Sequence, residues 1–227
     1  MIIDRIRGHS FIADQIGSGS RIIDLGMNEG HFAAEMHAKF GCRVTGVEAN
    51  PTLAARLGRT AELDCFNVAI APRRGEIEFY IDPDNSEASG LAADRSGRTA
   101  VRVPGMPLAE FLAEQDITAV DLLKIDIEGA EVELLAETDP AVFAQIRQIT
   151  LEFHIFLFPD HAPRVAAILD RMRGLGFFAI DFSRNWEDAL FVNQRLVPLS
   201  EIDKLNLRAQ KYRAGLGRML RRNWRAA

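Results

Sequence analysis

No run in this 227-residue chain is long and apolar enough to cross a bilayer, and the charges scattered through MIIDRIRGHSF leave no secretory h-region at the start. Cysteine is scarce. Cys42 and Cys65 lie far apart, with neither metal-ligand spacing nor the density of a disulfide-stapled secreted domain. Internal repeats and low-complexity tracts are missing too. These absences point to a soluble, cytoplasmic protein with an ordinary hydrophobic core and both cysteines as packing residues. The length suits one α/β domain with additions better than two domains.

Acidic side chains are missing from one part of the chain. From Lys204 onward there are eight basic residues (Lys204, Arg208, Lys211, Arg213, Arg218, Arg221, Arg222 and Arg225) and no Asp or Glu. Eight positive charges within a total of −5 leave the preceding body at about −13. Ser200-Glu201-Ile202-Asp203 has the form of a capping box. Ile202, Leu205, Tyr212, Leu216, Met219 and Leu220 make one apolar stripe on the helix it opens. That helix has three uses: packing on the body or on a second subunit, lying on an anionic membrane, or gripping an acidic polymer. No extended interleaving of aromatic and basic residues marks RNA or DNA as a substrate.

Residues 1–20 read as a short helix with Ile3, Ile6, Phe11, Ile12 and Ile16 inward, followed by a Gly17-Ser18-Gly19-Ser20 hinge. Residues 21–199 read as the main domain. It opens with a strand in RIIDLG, a helix from Glu29 to Phe40, a strand from Arg43 to Ala49, a short helix from Asn50-Pro51 and a strand from Ala61 to Ile70. Residues 75–105 break this βαβαβ rhythm as a ribbon whose middle, Asp82 to Arg98, has the length of a binding loop or lid. Phe177–Phe182 and Ala189–Asn193 read as an antiparallel pair, and residues 200–227 as the basic helix.

The most informative stretch is VDLLKIDIEGAEVELL, Val120 to Leu135. Its apolar first half has the look of a strand buried on both faces, and it ends in Asp126, Glu128 and Gly129 before a helix-like segment. Ligands of open α/β sheets sit beyond the carboxyl ends of the strands, so two acids and a glycine there are a candidate site wall.

A further absence narrows the ligand. From Gly26, the glycine positions of the dinucleotide fingerprint hold Asn28 and His31, so the backbone cradle for a pyrophosphate is not there. In its place Asp24 stands at a strand tip and Glu29 at a helix start. Two acids repel a pyrophosphate but favour the ammonium and sulfonium of S-adenosylmethionine. Glu48, at the end of the next strand, is positioned to accept both hydroxyls of an adenosine ribose, a device that NAD also uses. Asn67 has two readings, an amide offered to an adenine edge or one that satisfies a turn.

With IDLGMNEGHF, VEANP, FNVAI and LLKIDIEGAEVELL in place, the chain resembles the FkbM family of S-adenosylmethionine-dependent methyltransferases from about Arg21 to His154. The resemblance implies an α/β, Rossmann-like class I methyltransferase fold, a seven-stranded mostly parallel sheet with helices on both faces and an antiparallel last strand. It implies that Asp24, Gly26, Asn28 and Gly30 frame the methionine part of the cofactor, that Glu48 takes the ribose and Asn67 the region near adenine, and that Asp126 floors the site beside the sulfonium. It also implies O-methylation of a hydroxyl on a small molecule, natural product or saccharide. An NAD-type oxidoreductase and a non-catalytic module working through the basic helix are the alternatives.

Transfer of a methyl group to a hydroxyl needs a group that takes up the hydroxyl proton. His154, Asp126 and Glu128 are the candidates. Asp126 and Glu128 share a strand face with Lys124 if the strand persists that far. They could also hold a divalent ion, but no further acids at metal-like spacing follow, and no metal is assigned. His9, His31, His37 and His161 read as surface or packing residues.

Overall fold

The computed structural model describes residues 1–81, 98–155 and 161–224, the last twelve of these as helix backbone. In chain order the elements are β1 (Ile3–Ile6), β2 (His9–Ile12), a 3-10 turn, β3 (Ile22–Leu25), α1 (His31–Phe40), β4 (Val44–Val47), α2 (Pro51–Leu57), β5 (Leu63–Phe66) and β6 (Ala69–Ile70). There follow β7 (Gly75–Ile81), β8 (Thr99–Met106), α3 (Leu108–Glu114), β9 (Leu122–Ile125), α4 (Glu131–Glu137) and α5 (Pro140–Phe143). The chain then runs through β10 (Gln148–Leu151), α6 (Ala162–Gly174), β11 (Phe177–Asp181), β12 (Ala189–Asn193) and α7 (Glu201–Trp224).

Seven strands form the central sheet in the order β11-β12-β10-β9-β3-β4-β5. Five run parallel from β5 to β10, and β12 is antiparallel to both of its neighbours. This is the doubly wound sheet with a reversed last strand that the resemblance implied. Neighbouring residues serve opposite faces. Ile23 and Leu123 pack under Phe111, Leu135, Phe143 and Ile168 in one core. Ile22 and Leu122 pack with Phe11, Phe32 and Met36 in the other, so helices or strands cover both sides of the sheet. Because the order reverses between β9 and β3, the crevice at their carboxyl ends is the topological switch point.

The first twenty residues are not a helix. β1 and β2 form an antiparallel hairpin whose two-residue turn, Arg7-Gly8, has positive φ at both positions (48° and 97°). That conformation matches the right-handed twist of the flanking strands. The Ile3 and Ile6 spacing that suggested a helix is overridden by tertiary partners. Phe11 and Ile12 are fully buried in two different cores, which alternation along a strand permits. Gln148 Nε2 donates to the Ile12 carbonyl (3.3 Å) while its Oε1 accepts from the Ile12 N–H (2.9 Å), and Asp188 accepts from Ser10 N and Oγ.

The strand expected from Ala61 to Ile70 is divided. Asn67 Nδ2 donates to the carbonyls of Glu48 and Ala49 (2.9 and 3.0 Å), which ties the chain to the end of β4. Beyond it β6 joins β8 and β7 in a separate three-stranded sheet, order β6-β8-β7. The ribbon is thus present, while its expected lid at 82–97 lies outside the described residues. Among the described residues, no helix is long and apolar enough to cross a membrane.

Candidate active site

The carboxyl ends of β3, β4 and β9 frame a cleft enclosing about 650 Å³, part of it open to solvent. Its lining combines apolar Val47, Val68, Ile70 and Phe79 with polar and acidic Asn28, Glu48, Asp126 and Glu128. Close approach of two strand ends requires the glycine at the centre: Gly26 has φ +85°, and a Cβ there would lie 1.8 Å from the Asp126 carbonyl oxygen. Gly30 serves packing instead. It caps α1 at φ +76°, a Cβ would meet Leu57 at 2.6 Å, and it does not line the cleft.

Glu48 is buried, and each oxygen of its carboxylate accepts one backbone hydrogen bond. Oε2 accepts from the Asn28 N–H and Oε1 from the Asn50 N–H, both at 2.7 Å. Burial pushes its pKa up against these two bonds, and each oxygen keeps a lone pair for a ligand hydroxyl. Asn28 sits at φ +49° on the cleft wall, with its Oδ1 buried and without a partner. Asn67 donates its amide to the Glu48 and Ala49 carbonyls just beyond β4 and lies outside the cleft lining.

Asp24 stands behind this wall. It is fully buried and absent from the cleft, and Lys124 Nζ donates to its Oδ1 and to the Gly26 carbonyl, both at 2.8 Å. Adjacent register of β3 and β9 makes this pair, since Asp24 sits opposite Lys124. Burial pushes Asp24 up and Lys124 opposes it, while burial works against the Lys124 charge and the two carboxylates around it, Asp24 and Asp126, prevail and raise it. Glu29, expected to favour a cationic ligand, is solvated and paired with His31 at 3.0 Å.

β9 stops at Ile125, so Asp126 and Glu128 do not share a strand face. Asp126 still meets Lys124 at 3.5 Å, whereas left-handed backbone at Glu128 (φ +52°) and Gly129 (φ +101°) turns Glu128 into the cleft. A glutamate in that region is uncommon and costs about 1 kcal/mol or more. Glu131 organises the loop from inside. Fully buried, it accepts from the Ile127 and Gly129 N–H groups (3.1 Å each) and from His154 Nδ1 (2.9 Å). His154 Nε2 then points at Glu128 Oε2 (3.3 Å) and Asp126 Oδ1 (3.7 Å). His154 is itself buried and stands behind Glu128, away from the cleft lining.

The environments separate these groups. Burial alone would raise Asp126, but Lys124, His9 and His154 hold it well below the usual carboxylate range. Burial, with Asp126 and Glu131 nearby, pushes Glu128 up to about 8, and burial with Asp126 pushes Glu152 to about 7. Burial pulls His154 down, yet the bond to Glu131 and the surrounding carboxylates lift it to about 9. Sequence reading did not bring His9 here. It is buried on the N-terminal hairpin, and its Nε2 donates to Asp126 Oδ2 at 3.4 Å across 117 residues of chain. Glu131, too, was read only as a helix residue; its place two residues beyond Gly129 was the available signal. Among the described residues, two triads have ligand-capable atoms within 4.8 Å of one another, His9-Asp126-Glu152 and Asp126-Glu128-His154.

Comparison with known proteins agrees with this geometry. A methyltransferase FkbM domain model matches residues 24–179, more than half of the chain. AMB antimetabolite synthetase AmbE of Pseudomonas aeruginosa is 28% identical over 198 residues, 69% of this chain and 9% of that protein. The 2-O-methyltransferase NoeI of Sinorhizobium fredii is 27% identical over 139 residues, 51% of this chain and 56% of that protein. The 31-O-demethyl-FK506 methyltransferase FkbM of Streptomyces tacrolimicus is 34% identical over 73 residues, 32% of this chain and 26% of that protein. In each case the match spans less than two thirds of the relative's length. The family match favours a methyltransferase over the oxidoreductase and non-catalytic alternatives. The seven-stranded sheet, the cleft at its switch point and the matched segment together assign this chain to the FkbM methyltransferase family, whose members use S-adenosylmethionine.

Proposed function

We propose that the protein transfers a methyl group from S-adenosylmethionine to a hydroxyl of a small molecule, natural product or saccharide, with Glu128 as the proton acceptor. The residues present fit that cofactor. The apolar residues of the cleft suit an adenine ring, Glu48 offers two lone pairs to a ribose, and the buried, unpartnered Asn28 Oδ1 suits an ammonium donor. Asp126, kept ionised, favours the positive sulfonium side. Bound there, the cofactor would supply an activated methyl carbon. Asp24 and Gly30 contribute from behind the wall, by holding Lys124 and by packing α1 against α2.

The protein's own part is to align the acceptor, keep water out and remove one proton. The observation that carries the reading is the chain Glu128, His154, Glu131. Glu128 faces the cleft at an affinity for protons matched to mildly alkaline pH, His154 stands 3.3 Å behind it, and buried Glu131 fixes His154 by its Nδ1–H. Asp126 is too acidic to serve as the acceptor. The resemblance to NoeI, a 2-O-methyltransferase, and to the Streptomyces 31-O-demethyl-FK506 methyltransferase supports a hydroxyl acceptor.

The test is a thermal shift with adenosylhomocysteine and a radiolabelled methyl-transfer assay on hydroxyl-bearing acceptors. Adenosylhomocysteine is expected to raise the Tm, with a smaller rise in Glu48→Gln. Stabilisation by NADH and not by adenosylhomocysteine would overturn the cofactor assignment. Label appearing only on amine acceptors would overturn the hydroxyl assignment.

A further inference from the structure

In the described part of α7, the apolar residues Ile202, Leu205 and Tyr212 do not face the body. Leu207 is fully buried among Ile12, Ile180, Phe182, Leu190 and Val192, and Gln210 bonds to the Ile3 N–H (3.0 Å) and the Met1 carbonyl (3.1 Å). These residues define the inner face of the helix. Ile202, Leu205 and Tyr212 are 70%, 59% and 74% exposed. At the helical repeat they span an arc of about 80° centred roughly opposite Leu207. Packing of the stripe on its own domain is therefore corrected: the body takes the other side of the helix.

Three apolar side chains lined up on one helix normally lie against something. The charge of the helix selects the occupant. Acidic residues occur only in its first turn, where Glu201 pairs with Lys204 at 2.7 Å and Asp203 bonds to Ser200. Arg208 lies over the Phe178 ring and Lys211 is 3.9 Å from Asp181, so the first basic residues brace α7 on β11. Arg213, Arg218, Arg221 and Arg222 then follow along the helix backbone with no acid among them. Two such helices repel one another, which disfavours pairing of copies through this face. A nucleic acid would take the charge but leave the stripe uncovered. A surface that is anionic outside and apolar within satisfies both features.

We infer that α7 docks the protein on anionic lipid bilayers, with Ile202, Leu205 and Tyr212 entering the interface and the net positive charge of its distal half supplying the attraction to the headgroups. α7 packs on β11, at one edge of the sheet, while the cleft is walled by β4 and β9 toward the other edge. The docking face and the cleft thus lie on separate elements.

Sedimentation of the full chain with vesicles tests this. It is expected to bind vesicles of phosphatidylcholine containing phosphatidylglycerol, not phosphatidylcholine alone, and to detach as salt is raised. Ile202→Ser/Leu205→Ser/Tyr212→Ser should lower the vesicle partition coefficient at least about tenfold. Because the three residues are exposed, unfolding temperature and turnover of a soluble acceptor should stay at the wild-type level. Arg218→Gln/Arg221→Gln/Arg222→Gln should lower binding comparably. Equal binding to both kinds of vesicle, or unchanged binding by the triple serine variant, overturns the inference. So does a dimer in light scattering that the serine variant abolishes while the wild type ignores vesicles.

Discussion

Replacing Glu128 with Gln keeps the shape and the left-handed backbone but removes the charge, so it isolates what that carboxylate does. In the folded protein Glu128 titrates at about 8, against 4.5 for an ordinary glutamate. A group whose folded value is raised contributes stability below its unfolded value and loses it as pH rises through the folded one. Wild-type protein therefore gives up stability between roughly pH 4.5 and pH 8, with a ceiling of about 5 kcal/mol from the displacement itself. Part is returned, because ionised Glu128 helps hold the proton on His154 at 3.3 Å. The expected net is that Glu128→Gln gains about 1–3 kcal/mol over wild type on going from about pH 5 to about pH 9. Urea unfolding at the two pH values measures it. Activity should move the opposite way. Loss of the proton acceptor is expected to lower kcat about 10²–10⁴-fold and to remove the rise in wild-type kcat as pH passes through about 8. Stability curves for the two proteins that run parallel with pH, or a variant keeping more than about a tenth of wild-type kcat, would refute the assignment.

Three further outcomes follow from the same geometry. Glu131→Gln leaves His154 without the carboxylate that fixes Nδ1–H and lifts its pKa, so Glu128 loses a neighbouring positive charge and the alkaline rise in kcat should shift to higher pH with little change in cofactor KM; an unshifted profile assigns Glu131 to loop folding alone. Lys124→Met strands a fully buried Asp24 carboxylate and should cost about 3–5 kcal/mol near neutral pH in urea unfolding, less in acid where Asp24 protonates, and Asp24→Asn in the same chain should recover a good part of it. Gly26→Ala places a Cβ against the Asp126 carbonyl at a positive φ, so β3 and β9 must part at the cleft; a loss of the adenosylhomocysteine thermal shift and a destabilisation above about 2 kcal/mol are expected.

Much of the fold is legible in local pattern. Runs such as LLKI and IIDL, apolar on both faces, can only be central strands. The polar turn between Phe182 and Ala189 sets β11 and β12 antiparallel, and VDLLKIDIEGAEVELL ends where a ligand must sit. Those features depend on residues near one another in the chain. The rest depends on partners far away. The hairpin at residues 3–12 exists because Phe11 and Ile12 find two cores and Gln148 meets its backbone, so a helix-like spacing of isoleucines was not enough. Asp24 looked like a cofactor ligand until β9 brought Lys124 beside it and closed the pair from solvent. His154 and Glu128 were both nameable from sequence, but their order in depth was not: the left-handed turn at Glu128 and the anchor at Glu131 put the glutamate in the cleft and the histidine behind it. The stripe on α7 was visible as periodicity, while the outward direction of Ile202, Leu205 and Tyr212 was decided by Leu207 and Gln210 on the other side. The sequence by itself determined the strand-helix alternation of the main domain, the family and the acids at the strand ends, because these follow from short-range pattern. Which acids reach the ligand, which are paired away and which protons they share was decided only by the tertiary structure, because burial and charge pairing are properties of neighbours in space.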